Sequence, residues 1–222
     1  ETGPEFMQHF LGIDIGGSSV KVGVVSPQGD FIHRRQSLLT IDQGPTAGVE
    51  HIFREAELCL AEAGLPLDDL RAVGVAAPGT IDLEAGVILQ PFNLPGWENL
   101  ALRDLAAARF QRPTILVNDA NAAAYGEYWG GAGRGARSLM FWTLGTGVGG
   151  GIVLNGEVLV GAHGHAGECG QMIIQYAGGL TSRHGIHGSL ELYAGARGLV
   201  QRCINALQAG RGSNLASRLA AR

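Results

Sequence analysis

One arrangement occurs twice in this chain and restricts the fold more than any other feature. Residues 10–15 form a strand-like run that ends in Gly16 and Gly17. Residues 20–25 form a second run, and residues 31–37 return as a third after the turn Ser26-Pro27-Gln28-Gly29-Asp30. The pattern recurs further on: a run over 138–144, a glycine turn from Gly145 to Gly151, a strand over 152–154, the dipeptide Asn155-Gly156, and a strand over 157–161. Turns this short join antiparallel neighbours, and Asn-Gly is a strong hairpin signal. Identity between the copies is slight, so the duplication is one of architecture: two lobes, each opening with the same three-strand unit.

Between the copies the period changes. Val49, Ile52, Phe53, Ala56, Cys59, Leu60 and Ala63 fall at i, i+3, i+4 spacing, which predicts an amphipathic helix ended by Gly64. A strand over 72–77 stops at Pro78-Gly79. Residues 80–100 read as loop-rich and carry Asn93, Pro95, Gly96 and Trp97, and a second helix covers 100–110. The first three strands pair through short turns while later ones need helical crossovers, so the class is α/β with a mixed sheet. The run GGAGRG over 130–135 reads as a hinge or domain boundary.

The stretch 113–127, PTILVNDANAAAYGE, carries the strongest chemical signal. A buried strand over 114–117 runs into an alanine-rich helix, with Asn118 and Asp119 between them. A carboxylate at the mouth of a strand, backed by a helix N-terminus, is placed for chemistry. Either residue can equally serve as a helix cap, a position both types favour.

Other classes are excluded by context. Gly145, Gly147 and Gly150 satisfy G-x-G-x-x-G, but a strand and a hairpin follow instead of the helix a dinucleotide site requires. No P-loop sequence occurs. A glycine turn between antiparallel strands still presents backbone N–H groups to a phosphate, and Asp14, just before the first turn, suits Mg²⁺. A net charge of −4 with no extended basic patch argues against nucleic acid. No apolar run is long enough to span a bilayer. Cys59, Cys169 and Cys203 do not form a disulfide framework, which points to a reduced, cytoplasmic setting. Residues 1–6 read as an expression-tag remnant.

The runs LGIDIGGSSVKVGVV (11–25), LVNDANAAAYGE (116–127), LGTGVGGGIVLNG (144–156) and GHAGECGQ (164–171) resemble the bacterial ROK family of sugar kinases, which also includes sugar-responsive repressors. The resemblance covers about 10–202. It implies a two-lobed actin-like, ribonuclease H-like ATPase fold with an interlobe cleft. It implies ATP with Mg²⁺ on one side and a hexose, foremost glucose, on the other, with polyphosphate an alternative donor. By matching position, Asp119 is the general base and Asp14 organises Mg²⁺. Gly16, Gly17 and Ser18 form the first phosphate turn; Gly145, Thr146 and Gly147 form the second. Asn93, Asn118, Glu168 and Glu191 match positions that contact sugar hydroxyls, and Gly79 lines the sugar site. The expected lobes are 7–118 and 119–222, the second incomplete, since the family's last part has no counterpart. A homodimer is left open. A non-catalytic sugar sensor is the alternative function.

The chain departs from the family at its zinc motif. The family's His position is Gln171, and its cysteine positions fall at Ser182, His184 and Ser189. Tetrahedral zinc needs thiolate or imidazole ligands, so no structural zinc is expected, and Gln171 is free to donate to a sugar hydroxyl.

Overall fold

The computed structural model describes residues 9–39, 44–91, 93–182 and 185–215. The tag remnant expected over 1–6 and His184 of the zinc positions lie outside the described residues. Strands β1 (His9–Ile15), β2 (Ser19–Val25) and β3 (Phe31–Leu38) form an antiparallel meander. On the other side of β1, β4 (Leu70–Ala77) pairs parallel with it, and β7 (Thr114–Asn118) pairs parallel with β4. The sheet order is β3-β2-β1-β4-β7. The crossovers carry helices α1 (Gly44–Glu62) and α2 (Leu102–Phe110).

Alternation explains the core. Leu11, Ile13 and Ile15 of β1 and Val20, Val22 and Val24 of β2 are buried, as period-two strands require when one face is covered. Ile52, Phe53, Ala56, Cys59 and Leu60 of α1 belong to the same core, as do Leu102, Ala106 and Phe110 of α2. Phe53 and Phe110 meet edge to face with ring centroids 5.4 Å apart. Each fully buried side chain of this size contributes about 1.5–3 kcal/mol. Cys59 is wholly buried, and burial pushes its thiol pKa up; it is a core residue, as its helical position predicts. Salt bridges fix the layers at their rims: Arg35 of β3 binds Glu55 and Glu62 of α1, and Arg109 of α2 binds Glu50 and Glu57.

The stretch 80–100 is more ordered than its composition suggests. It holds a hairpin of β5 (Thr80–Asp82) and β6 (Val87–Gln90), strands too short to show a period. The second half of the chain opens with α3 (Asp119–Gly130), then β8 (Leu139–Leu144), β9 (Val148–Leu154) and β10 (Glu157–Val158), in the order β10-β9-β8. The second turn is therefore only Gly145 to Gly147. Gly149, Gly150 and Gly151, read from sequence as part of the turn, lie inside β9. They are there for close approach: a Cβ on Gly151 would stand 2.5 Å from the Cβ of Ala124 in α3. The GGAGRG run folds back on the end of α3, with the N–H groups of Gly131 and Gly133 donating to the carbonyl of Glu127.

The 3-10 turn Cys169–Gln171 and helices α4 (Leu190–Ala194) and α5 (Ala196–Gln208) follow. All three cysteines are free. Among the described residues no helix is long and apolar enough to cross a membrane.

Candidate active site

The junction of β7 and α3 assigns the cap. Asn118 takes extended backbone angles, and its Oδ1 accepts from the N–H groups of Ala120 at 3.0 Å and Asn121 at 3.2 Å. Its Nδ2 donates to the Gly79 carbonyl at 3.3 Å. Both Oδ1 lone pairs are thus used, and one amide proton is left for a ligand. Asp119 needs no capping role. Its Oδ1 accepts from Ala120 N–H at 2.9 Å, and among the described residues its Oδ2 has no partner. Burial raises the Asp119 pKa; Ala120 N–H opposes this and the charge of Asp14 adds to it.

Asp14 lies on β1, opposite Lys21 of β2 in register, with Nζ 3.2 Å from its Oδ2. Lys21 was not singled out in the sequence. The signal was available: a Lys seven residues after an Asp, across a turn that sets them opposite. The first phosphate turn, Gly16 to Ser18, closes with Gly16 N–H donating to the Ser19 carbonyl at 2.8 Å. In the second, Gly145 N–H donates to the Gly147 carbonyl at 3.0 Å. Among the described residues the N–H groups of Gly17, Ser18, Thr146 and Gly147 donate to no protein acceptor. Both turns therefore present unused donors, the property an anion site needs.

The expected sugar set comes from five separate segments, of which the β7–α3 junction with Asn118 is one. Gly79 has φ +90°, and a Cβ there would lie 2.3 Å from the Gln90 carbonyl, so only glycine fits. Asn93 abuts the first turn: a Cβ on Gly17 would be 2.9 Å from that of Asn93. Glu168 is set by its neighbour Gly170, which presses on β9 so closely that a Cβ would overlap the Val148 carbonyl. The Glu168 pKa is raised, first by desolvation and further by the charges of Glu191 and Asp119, against the opposing effect of His165. Glu191 opens α4 and accepts from Val148 N–H at 3.0 Å. Gln171 ends the 3-10 turn, half-buried. Asp14, Asp119, Glu168 and Glu191 are thus linked in pairs by electrostatic reach. Clustered carboxylates flanked by free backbone donors suit a ligand that combines hydroxyl groups with phosphates.

Among the described residues no group of three or more His, Cys, Asp or Glu side chains converges to hold a metal ion. A groove of about 1480 Å³ runs over the sheet face and α3, lined by Ile115, Tyr125 and Trp129 among others; it reaches Asp14 and Asn118 but none of Asp119, Glu168 or Glu191.

Comparison with known proteins settles the family. The model of the ROK family matches residues 10–220. The chain belongs to the ROK family. A glucokinase from Halalkalibacterium halodurans is 35% identical over 192 residues, covering 86% of this chain and 58% of that protein. The crystal structure of the ROK hexokinase from Thermus thermophilus superposes with a TM-score of 0.78 at 33% identity, covering 90% of this chain and 65% of that one. A ROK family glucokinase from Streptomyces griseus, solved with glucose and AMPPNP, gives 0.76 at 32% identity over 90% and 62%. This ROK chain therefore has the mixed α/β, actin-like fold of the ROK sugar kinases, and it spans less than two thirds of the length of these three relatives.

Proposed function

We propose that the protein is a sugar kinase that transfers the γ-phosphoryl group of ATP to a hexose hydroxyl, with glucose to glucose 6-phosphate as the foremost reaction. The observation that carries this is the division of labour at the β7–α3 junction. Asn118 caps the helix, and Asp119 keeps an unpartnered Oδ2 in a partly desolvated position among carboxylates. Relatives named for glucokinase and hexokinase activity, one solved with glucose and AMPPNP, support the same reading.

The sugar lies against Asn93, Asn118, Glu168, Gln171 and Glu191, beside Gly79. Asp119 Oδ2 takes the proton of the reacting hydroxyl while that oxygen bonds to the γ-phosphorus and ADP leaves. A positioned base of this kind contributes about 10²–10⁴ in rate. The phosphate tail lies between the Gly16–Gly17–Ser18 and Gly145–Thr146–Gly147 turns, whose unused N–H groups face its charge. Asp14 fits Mg²⁺, which when bound with the nucleotide offsets the negative charge of the phosphate oxygens. Lys21, paired with Asp14, adds a positive charge beside them. The lobes meet at 118/119, since Asn118 ends the first sheet and α3 packs on β9 of the second.

The test is coupled detection of ADP release over a panel of hexoses with the complete gene product, repeated with polyphosphate as donor. Sugar-dependent turnover with ATP, highest for glucose, is expected. Sugar binding without turnover from either donor would instead identify a non-catalytic sensor.

A further inference from the structure

The second glycine turn is shaped by a sugar-site residue. A Cβ on Gly147 would overlap the Oε2 of Glu191 and stand 2.9 Å from its Cδ. The same oxygen accepts from the N–H of Val148, the first residue of β9, at 3.0 Å. The helix that carries Glu191 is anchored to the turn as well. Ala196 N–H, just beyond α4, donates to the Gly145 carbonyl at 2.9 Å, and a Cβ on Gly195 would lie 3.1 Å from the Thr146 carbonyl. A side chain at position 147 would therefore have to displace the Glu191 carboxylate from the N–H of Val148. The first turn shows the same relation, with Asn93 against Gly17.

We propose that Glu191 is a positioning residue that joins the sugar site to the second phosphate turn. Oε2 holds Val148 N–H, and Oε1, which has no protein partner among the described residues, accepts from a sugar hydroxyl. Building on the sugar-kinase reading, this makes occupancy of the sugar site fix the turn that receives nucleotide phosphate. Sugar then raises nucleotide affinity, and nucleotide raises sugar affinity by the same factor.

The test measures glucose binding by calorimetry to the complete gene product, with no nucleotide present. Gly147→Ala displaces the Glu191 carboxylate, and its glucose Kd is expected to rise about tenfold or more, the effect of losing one hydrogen bond to a charged group. Gly130→Ala, at the far end of α3, adds a Cβ that would meet nothing within 4 Å, and its glucose Kd is expected to stay within about twofold. A Gly147→Ala protein that melts like the wild type and binds glucose with unchanged Kd overturns the link while leaving the kinase reading intact. A wild type that binds no hexose removes both. If Gly147→Ala does not fold, the ¹⁵N-amide resonance of Val148 in the wild type carries the test. It is expected to move when glucose alone is added, and a resonance that stays in place under saturating glucose overturns the link.

Discussion

Asn118 and Asp119 are adjacent, chemically similar and differently employed. Asn118 spends both Oδ1 lone pairs on the first turn of α3 and one amide proton on the Gly79 loop. Asn118→Ala is therefore expected to destabilise the protein by about 1 kcal/mol, the usual effect of removing an N-cap, read as a lower denaturant midpoint. Asp119 carries the opposite balance. Its folded pKa lies above the unfolded value because burial and Asp14 disfavour the charge. The folded state then binds the proton more tightly than the unfolded one, so stability falls as pH rises through the folded pKa. Asp119→Asn is expected to melt higher than the wild type at neutral pH. The difference shrinks as pH falls and vanishes once Asp119 is protonated in both states; thermal melts across an acid-to-neutral series check this. The sequence could not say which of the two residues caps the helix, because Asn and Asp favour that position alike. Only the hydrogen bonds separate them.

At the scale of elements, α3 and β9 form the contact on which the second half depends. Ala120 and Ala124 face Gly149 and Gly151, and small residues on both sides bring helix and strand together. Gly151→Ala forces a methyl into the methyl of Ala124, and overpacking of this kind costs about 1–3 kcal/mol; a matching fall in unfolding free energy is expected. Strand and helix identities were legible because their periods differ, and the long elements appear within a few residues of where the pattern puts them. The hairpin of β5 and β6 was not, because strands of three and four residues show no alternation. Nor was the start of β9: glycines that yield to a packed helix look the same in sequence as glycines that make a turn.

The molecule contains two variations on one opening unit, a hairpin around a short glycine turn. The duplication was visible in the sequence. The order of the first sheet was not, since it depends on parallel pairings between β1, β4 and β7 that no local pattern encodes. The carboxylates could be named from motifs, but their mutual influence across segments more than a hundred residues apart follows only from the fold. In the proposed site one half contributes Asp14 and the first turn, while the other contributes Asp119, the second turn, Glu168 and Glu191. The central claim is that Asp119 serves this assembled site as its base. It is tested most directly by the turnover of Asp119→Asn in the complete gene product at saturating glucose and ATP. The account predicts a kcat lower by about 10²–10⁴ with glucose still bound. Turnover equal to the wild type would contradict it.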